Sequence, residues 1–272
     1  MIITSPANEK IKQIRKLRER KYRSETGQFL VEGLRITTEA FQMGAMINLL
    51  VVAPDLLTSD FGRELVVQVR NQEIPVLEVN RSVFESLAVK ENPQGIAAVI
   101  RQQWSTLADF SAPGDQDWIA LESVADPGNL GTILRTSDGA GWAGVILLGN
   151  CTDPYDPSAL RASMGAVFSQ HLVRATFAEF VQWKLETGIR VVGTSDSAEQ
   201  DYHYLEYPAP MVLLMGSERQ GLSEEQIQVC DELARIPMVG RSDSLNLSIA
   251  TAVMIYEIYN HRRDRPDFRR QP

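Results

Sequence analysis

Short apolar segments recur along the second half of the chain, with helix-patterned stretches between them. The segments are WIALES (118–123), GVILLG (144–149), IRVVGT (189–194), MVLLMG (211–216) and LARIPM (233–238). Residues 145–148 and 211–215 are apolar without alternation, which is typical of strands that are covered on both faces. Because strands that alternate with helices form parallel sheets, this pattern predicts a mainly parallel α/β sheet flanked by helices.

Several local signals place helix ends between these strands. Asp156-Pro157 offers an N-cap followed by proline at the first helical position. Ser223 and Gln226 have the spacing of a capping box. Apolar residues then recur at helical spacing from 245 to 256, so we expect a last helix that buries one stripe.

The first hundred residues form a smaller mixed α/β pattern. Strands are predicted at 29–33, 47–53, 74–79 and 95–100, and helices at 34–44 and 64–71. The polar stretch 101–117 carries the turn signal Pro113-Gly114 and lacks sustained apolar periodicity. We therefore expect an N-terminal recognition domain at 1–102, a linker at 103–116 and a second domain at 117–272.

Composition excludes several classes of protein. Two cysteines in 272 residues exclude a disulfide scaffold, and three histidines without close Cys/His spacing lead us to expect no metal site. The chain has no apolar run of membrane-spanning length and no signal peptide, so we expect a cytoplasmic protein without a membrane partner. It also lacks a phosphate-binding loop and a nucleophile elbow. The glycines at 139, 141 and 144 follow a predicted helix and precede a strand, which is the reverse of a dinucleotide-binding context.

Charge is distributed unevenly. The net charge is −8, yet the stretch from Lys10 to Arg23 holds eight basic residues and one acidic residue. Such a patch can bind phosphate, and Arg15, Lys16 and Arg18 are the candidate RNA contacts within it. A solvated helix face is the alternative interpretation.

Three polar, glycine-bearing loops, at 125–141, 216–223 and 239–248, each leave a predicted strand and enter a predicted helix. Because such loops gather at one edge of a parallel sheet, side chains from distant segments could converge there. The candidates are Asn129, Arg135, Glu218, Ser244 and Asn246. Each has a simpler interpretation: Asn129, Ser244 and Asn246 could cap helices, and Arg135 and Glu218 could be surface charges.

Three segments resemble, in order and spacing, the motifs of the SpoU/TrmH family of RNA 2′-O-ribose methyltransferases in the SPOUT superfamily. They are NLGTILRTSDGAGWAGVILLG (129–149), LLMGSERQGLS (213–223) and ARIPMVGRSDSLNLSIATAVMIYE (234–257). The N-terminal part, with FLVEGLR at 29–35 and NPQGIAAVI at 92–100, is similar to the L30e/L7Ae-like substrate-binding domain that many members carry.

The resemblance implies a C-terminal trefoil knot, S-adenosyl-L-methionine as methyl donor, and a homodimer with its sites near the subunit interface. By motif position it implies that Arg135 is the catalytic arginine. The rest of the implied catalytic set is Asn129, Glu218, Ser244 and Asn246, and the implied cofactor contacts are Gly216, Ile236, Met238 and Leu245. Second-motif members often read Gly-Asn-Glu, whereas this chain has serine at 217. Arg161 lies in another family-like stretch and is a further candidate RNA contact, or else a helix-surface charge.

The expected activity is therefore methyl transfer to a ribose 2′-hydroxyl of RNA, with ribosomal RNA favoured because of the N-terminal domain. Two alternatives remain open at this point: a tRNA 2′-O-methyltransferase, and a non-catalytic RNA-binding or assembly factor on the same fold. A nucleotide-using oxidoreductase is disfavoured by the absence of a correctly placed glycine fingerprint.

Overall fold

The computed structural model describes residues 2–89, 91–110 and 116–263. The chain divides into two compact units. The first comprises the residues up to Gln103 together with Tyr155–Leu160, and the second comprises Trp104–Pro154 and the residues from Arg161 on. Within the described residues, no helix is both long and apolar enough to cross a lipid bilayer.

The first unit is a four-stranded mixed sheet with helices. Its sheet order is β1-β4-β2-β3, in which β4 runs antiparallel to both neighbours and β2 pairs with β3 in parallel. The elements in chain order are α1 (Glu9–Lys16), α2 (Arg20–Thr26), β1 (Gln28–Glu32), α3 (Leu34–Gln42), β2 (Ile47–Val52), α4 (Asp60–Asn71), β3 (Val76–Glu78), α5 (Arg81–Leu87) and β4 (Ile96–Arg101).

Helix α1 is amphipathic and buries Ile11 and Ile14 in the core of this unit. There they join Phe84 and Leu87 of α5, which begins at the N-cap Asn80. The basic face of α1 is the one left toward solvent, since burying an apolar stripe turns the opposite side of a helix outward.

The second unit contains a six-stranded, wholly parallel sheet, which confirms the predicted mainly parallel α/β fold. The strand order is β10-β8-β9-β5-β6-β7. The elements from residue 118 on are β5 (Trp118–Glu122), α6 (Pro127–Gly139), β6 (Gly144–Leu148), α7 (Pro157–Ser163), β7 (His171–Ala175), α8 (Phe177–Thr187), β8 (Arg190–Thr194), β9 (Met211–Met215), α9 (Glu224–Val229), β10 (Glu232–Ala234) and α10 (Leu247–Arg263). The trefoil knot remains a prediction of the resemblance.

The central strands β6 and β9 are buried at every position, as their unbroken apolar sequences predict. The predicted capping box is present, because Ser223 and Gln226 exchange backbone–side-chain hydrogen bonds at the start of α9. Asp156 accepts a hydrogen bond from the amide of Ser158 at 2.8 Å as α7 begins. The predicted strand at 233–238 is shorter than expected: it ends at Ala234, and the next residue, Arg235, forms a bridge to Asp201.

Two features of the chain path differ from the sequence-based expectation. Part of the expected linker at 103–116 is ordered structure in the second unit: Ser105 bridges to Val173, and a 3₁₀ turn spans Leu107–Phe110. Leu107 and Phe110 pack on the core of that unit, which explains why a polar stretch holds two large apolar residues. The described part of the linker ends at Phe110 and resumes at residue 116.

The segment Tyr155–Leu160 belongs to the first unit, although it lies far along the chain. Tyr155 contacts the ring of Phe29 with centroids 4.4 Å apart, and the buried guanidinium of Arg23 pairs with Asp156 at 3.4 Å. These contacts join residues more than a hundred positions apart, so no local sequence pattern predicts them.

Candidate active site at the motif loops

Helix α6 begins immediately after β5, at the carboxyl edge of the sheet. Its N-cap is Asp126, whose carboxylate accepts a hydrogen bond from the amide of Asn129 at 2.7 Å. The alternative interpretation that Asn129 itself caps the helix is therefore wrong. Because the side chain of Asp126 accepts the hydrogen bond at the start of α6, the carboxamide of Asn129 is not needed as a cap and is available for contacts beyond its own helix.

Glu218 joins the loop after β9 to the start of α6. Its Oε1 accepts a hydrogen bond from Nδ2 of Asn129 at 2.5 Å, and its Oε2 accepts one from the backbone amide of Ala125 at 3.3 Å. Both carboxylate oxygens thus contact the strand–helix connection of the first motif. Glu218 is therefore a hydrogen-bonded residue of this connection, rather than a surface charge without a partner.

Asn246 connects the third motif to the same pair. Its Nδ2 donates to Oδ1 of Asn129 at 3.0 Å, and its Oδ1 accepts from the backbone amide of Ser248 at 2.9 Å and the hydroxyl of Ser248 at 2.7 Å. Asn246 therefore caps α10 and also reaches the first motif, so the capping and site interpretations are both correct for this residue. We call Glu218, Asn129 and Asn246 the amide chain.

The direction of every hydrogen bond in the amide chain follows from its acidic end. A carboxylate only accepts, so Glu218 requires Nδ2 of Asn129 to face it. Oδ1 of Asn129 then faces Asn246 and requires that residue's Nδ2, which leaves Oδ1 of Asn246 to cap α10. One carboxylate thereby fixes the orientation of two carboxamides on separate loops.

Two of the predicted catalytic residues lie outside the amide chain. Arg135 is exposed on α6, six residues after Asn129, and has no hydrogen-bond or ion-pair partner among the described residues. Six residues of an α-helix rise about 9 Å and turn the side chain to another face. Ser244 is exposed and donates to Asp243 at 3.4 Å. Neither residue is held by the fold, so both are free to contact a bound molecule.

Of the residues expected to hold the cofactor, Gly216 and Ile236 lie just beyond the ends of β9 and β10, and Met238 and Leu245 lie in the loop between β10 and α10. Gly216 directly follows β9 and Ile236 follows β10, and these strands flank β8. With strands about 4.8 Å apart, the two positions lie about 10 Å from each other at one sheet edge. A Cβ at Gly216 would lie 2.1 Å from the carbonyl carbon of Gly221, so no side chain fits there. Met238 and Leu245 expose 37% and 38% of their surface, which is unusual for large apolar residues.

A separate cavity of about 320 Å³ lies between the ends of β5, β6 and β7 and the start of α9. None of the residues expected to hold the cofactor lines it. Its wall includes Glu122, which accepts hydrogen bonds from Gln226 at 2.8 Å and from Ser123 at 2.6 Å. Because those bonds occupy the carboxylate, we assign the cavity no role in the predicted chemistry.

Neither cysteine is a suitable nucleophile. Burial raises the pKa of Cys151 to about 11 and that of Cys230 to about 12. Both thiols therefore stay protonated at neutral pH, and the thiolate is the reactive form.

The predicted RNA contacts in α1 and just after it are partly engaged within the first unit. Arg15 donates to the hydroxyl of Ser86 at 2.7 Å, and Arg18 donates to the carbonyl of Ala88 at 2.7 Å, both at the end of α5. Lys16 is exposed, with its ammonium 4.9 Å from the ring centre of Tyr22. Arg161, on α7, is exposed as well. Of these four candidates, Lys16 and Arg161 are the more accessible to phosphate.

The amide chain joins three loops that lie in one continuous match to a protein family. The model of the SpoU rRNA Methylase family matches residues 118–256, which is more than half of the chain. The chain belongs to the SpoU rRNA methylase family. The model of the MRM3-like substrate binding domain matches residues 8–98, which lie in the first unit. The two units therefore match two different family models.

Relatives named as 23S rRNA 2′-O-methyltransferases match nearly the whole chain. The 23S rRNA (guanosine(2553)-2′-O)-methyltransferase RlmP of Bacillus subtilis is 28% identical over 257 residues, which cover 94% of this chain and 98% of the relative. The 23S rRNA (uridine(2479)-2′-O)-methyltransferase of Streptomyces viridochromogenes is 31% identical over 253 residues, which cover 90% of this chain and 87% of the relative.

Solved SpoU-type structures share the fold. The AdoMet-bound rRNA methyltransferase from Sinorhizobium meliloti is 39% identical, covers 96% of this chain and 98% of its own, and superposes with a TM-score of 0.88. The methyltransferase AviRb from Streptomyces viridochromogenes in complex with AdoMet is 28% identical, with a TM-score of 0.85 and coverage of 94% and 99%. A structure described as giving insights into the 2-OH methylation of C/U34 on tRNA is 29% identical and has a TM-score of 0.50. The match covers 54% of this chain and 91% of that structure's chain.

Proposed function

We propose that this protein transfers the methyl group of S-adenosylmethionine to a ribose 2′-hydroxyl of ribosomal RNA, in the cytoplasm and as a homodimer. The observation that carries the proposal is the amide chain, which joins the three family motifs through side chains at one sheet edge. The chain is an RNA ribose methyltransferase of the SpoU family, and S-adenosylmethionine is its cofactor. The ribosomal substrate rests on the printed activities of the full-length relatives and on the substrate-binding domain.

The residues at the ends of β9 and β10 suit an adenosyl group. Its flat ring system favours apolar contacts, which the exposed side chains of Met238 and Leu245 offer. Gly216 lets the loop backbone lie close to its own return segment, and Ile236 is half-buried after β10, on the other side of β8. S-adenosylmethionine, when bound, supplies a methyl group on a positively charged sulfur.

Arg135 is the residue we assign to the ribose. In this reaction the 2′-oxygen would form a bond to the methyl carbon, the sulfur–methyl bond would break with its electron pair going to sulfur, and the hydroxyl proton would pass to solvent water. A guanidinium normally stays protonated, so Arg135 acts mainly by holding a substrate phosphate and stabilising the developing negative oxygen. Arg135 is exposed and has no hydrogen-bond or ion-pair partner within residues 2–89, 91–110 and 116–263, which leaves its donors available for that role.

The amide chain positions this chemistry and does not supply the base. Glu218 sets both carboxamides, and each carboxamide holds a different loop in place. Prealignment of loops lowers the entropy that must be lost when substrate and cofactor meet in line. Ser244 is assigned to the same site by motif position, with its hydroxyl exposed.

The homodimer is supported by apolar residues exposed around the third motif. Leu245 in its loop and Ile249 and Tyr256 on α10 are exposed, as is Val239 in the same loop. A second copy that covers these residues would remove apolar surface from water beside the cofactor loops. The Ile249→Glu variant should sediment as a monomer and lose cofactor affinity.

The experiment for the proposal is transfer of labelled methyl from S-adenosylmethionine to RNA from cells that lack the protein. Ribosomal RNA and tRNA are offered separately, as naked RNA and, for ribosomal RNA, as isolated subunits. We expect label in ribosomal RNA or its particles and none in tRNA. Label in tRNA alone would support the alternative substrate, and cofactor binding without transfer to either RNA would support a binding or assembly role.

A further inference from the structure

Two of the three histidines in the chain meet one glutamate on the second unit, away from the motif loops. Nδ1 of His203 lies 2.7 Å from Oε1 of Glu257, and Nε2 of His261 lies 3.2 Å from the same oxygen. One ligand atom from each residue lies within 4.8 Å of the other two. We call this group the His–Glu–His cluster.

Both sides of the cluster are held by the fold. Glu257 and His261 are four residues apart on α10 and so share one helix face. The next residue, Arg262, is buried and pairs with Asp117, which fixes the last turn of the helix. The opposite ligand, His203, lies in a 3₁₀ turn at Tyr202–Tyr204.

The 3₁₀ turn is itself anchored at its start. The carboxylate of Asp201 accepts a hydrogen bond from the amide of His203 at 3.0 Å, and the amide of Tyr202 donates to the carbonyl of Arg235 at 2.9 Å. The ring of Tyr207 contacts that of His261 with centroids 5.4 Å apart. The ligands therefore come from preformed elements, which reduces the ordering that metal binding would require.

The donor set suits a borderline divalent cation. Zn²⁺ binds imidazole nitrogen and carboxylate oxygen at about 2.0–2.2 Å, which places tetrahedral ligand atoms roughly 3.4 Å apart. The two separations from Oε1 of Glu257, 2.7 Å and 3.2 Å, are somewhat shorter than that value, and all three ligand atoms lie within 4.8 Å of one another. Mg²⁺ and Ca²⁺ prefer sites made wholly of oxygen, so two imidazoles disfavour them.

The cluster is open on one side. The side chain of His203 is 64% exposed, whereas those of Glu257 and His261 are 15% and 26% exposed. A small rotation of His203 can adjust the remaining ligand separation, and the solvent side provides room for a fourth ligand such as water. Three protein ligands with one open position form an established zinc arrangement.

We propose that the His–Glu–His cluster binds one Zn²⁺ ion per chain, with His203, Glu257 and His261 as ligands. The ion would tie the turn at Tyr202–Tyr204 to the C-terminal end of α10. From the sequence spacing we expected no metal site. The cluster could not be predicted in that way, because His203 and Glu257 are far apart along the chain. The proposal is independent of the methyl-transfer site, because Asn246 lies at the other end of α10.

The test uses the full chain without a histidine tag, stripped of metal by chelation and titrated with ZnCl₂ in a calorimeter. We expect one Zn²⁺ per chain, and visible absorption typical of tetrahedral coordination when CoCl₂ replaces ZnCl₂. His203→Ala and Glu257→Gln should each lower zinc affinity at least tenfold. His203 is exposed and Glu257→Gln keeps the side-chain shape, so both variants should remain folded by circular dichroism.

His171→Ala is the matched control, because it removes the third histidine, which lies on β7 outside the cluster. Zinc binding should be unchanged in this variant. Equal zinc binding by wild type and His203→Ala would overturn the proposal, as would the absence of zinc binding by wild type. Titration with MgCl₂ should give no binding heat, and tight Mg²⁺ binding lost in Glu257→Gln would contradict the assigned ion class.

Discussion

At the motif loops of the second unit, polar side chains from three separate segments hydrogen-bond to one another. In the first unit, Arg15 of α1 and Arg18, which follows α1, bond mainly to the end of the neighbouring helix α5. Glu218, Asn129 and Asn246 join loops that are otherwise separate, whereas Arg15 and Arg18 donate to Ser86 and Ala88 around the end of α5. Both sets are polar and both were candidates for contact with RNA or cofactor.

The difference shows what a charged residue contributes in each setting. Arg15 and Arg18 satisfy acceptors that the end of a helix leaves unpaired, so they stabilise the first unit whatever it binds. Glu218 and Asn246 are exposed, and their hydrogen bonds to Asn129 fix the relative positions of three separate segments. Order and spacing of motifs therefore predicted these contacts between distant segments, which the density of positive charge did not.

The largest expected effect is the loss of methyl transfer in Arg135→Ala. Removal of one donor to developing negative charge lowers turnover by about 10²–10³-fold in comparable sites. Stability and cofactor affinity should stay near the wild-type values, because Arg135 has no partner in the described structure. Single-turnover transfer measures the rate, and Arg81→Ala serves as control, because Arg81 is an exposed helical arginine on α5 to which no role in methyl transfer is assigned. Equal losses in the two variants would contradict the assigned role of Arg135.

Asn246 separates the two functions of the amide chain. Asn246→Ala removes the cap of α10 and the contact to Asn129, so we expect lower transfer and a stability loss of about 1 kcal/mol. Asn246→Asp keeps an acceptor for Ser248 but loses the donor to Asn129. It should therefore retain the melting temperature while transfer falls about tenfold, in line with the loss of one hydrogen bond. If Asn246→Asp kept full transfer, the amide chain would not position the site.

Arg15 and Arg18 test the other side of the comparison. In the double variant Arg15→Ala/Arg18→Ala, the free energy of unfolding should fall. The expected loss is about 1.5–3 kcal/mol for each charged hydrogen bond that water does not replace. Denaturant unfolding measures the change, and Lys10→Ala, on the same helix, is the control. An unchanged free energy together with a lower salt slope of RNA binding would assign these arginines to phosphate instead.

The smallest expected effect concerns the thiols. Burial raises the pKa of Cys151 to about 11 and that of Cys230 to about 12, so the reactive thiolate accumulates only as the pH approaches those values. Treatment of the folded protein with iodoacetamide at pH 8 should leave methyl transfer unchanged. Rapid alkylation with loss of transfer at that pH would place a thiol in the site.

The sequence predicted the strands of the second sheet well where their composition was unambiguous. The runs at 144–149 and 211–216 became fully buried central strands, since nothing in them could face solvent. Strand β7 was missed because it lies at the sheet edge and carries His171 and Arg174 among its five residues. An edge strand needs fewer apolar residues, so its pattern resembles that of a loop.

The meeting of Asn129, Glu218 and Asn246 could be predicted from the sequence, but the detail of their contacts could not. Order along the chain indicated that 129, 218 and 246 gather at one edge, yet nothing local indicated that Asp126 would cap α6 and leave Asn129 free. The meeting of His203 with Glu257 likewise depends on packing between distant segments. Such contacts follow from tertiary structure, and a single sequence carries no local signal for them.

The most direct test of the account is the chemical position of the transferred methyl group. A methyl on the ribose 2′-oxygen blocks alkaline cleavage of the adjacent phosphodiester, because that cleavage needs the free hydroxyl. With labelled ribosomal RNA as product, we predict that the label survives alkali in dinucleotides and is absent when Arg135→Ala replaces the wild-type enzyme. Label released in mononucleotides would mean methylation of a base, and it would contradict the ribose chemistry assigned to these loops.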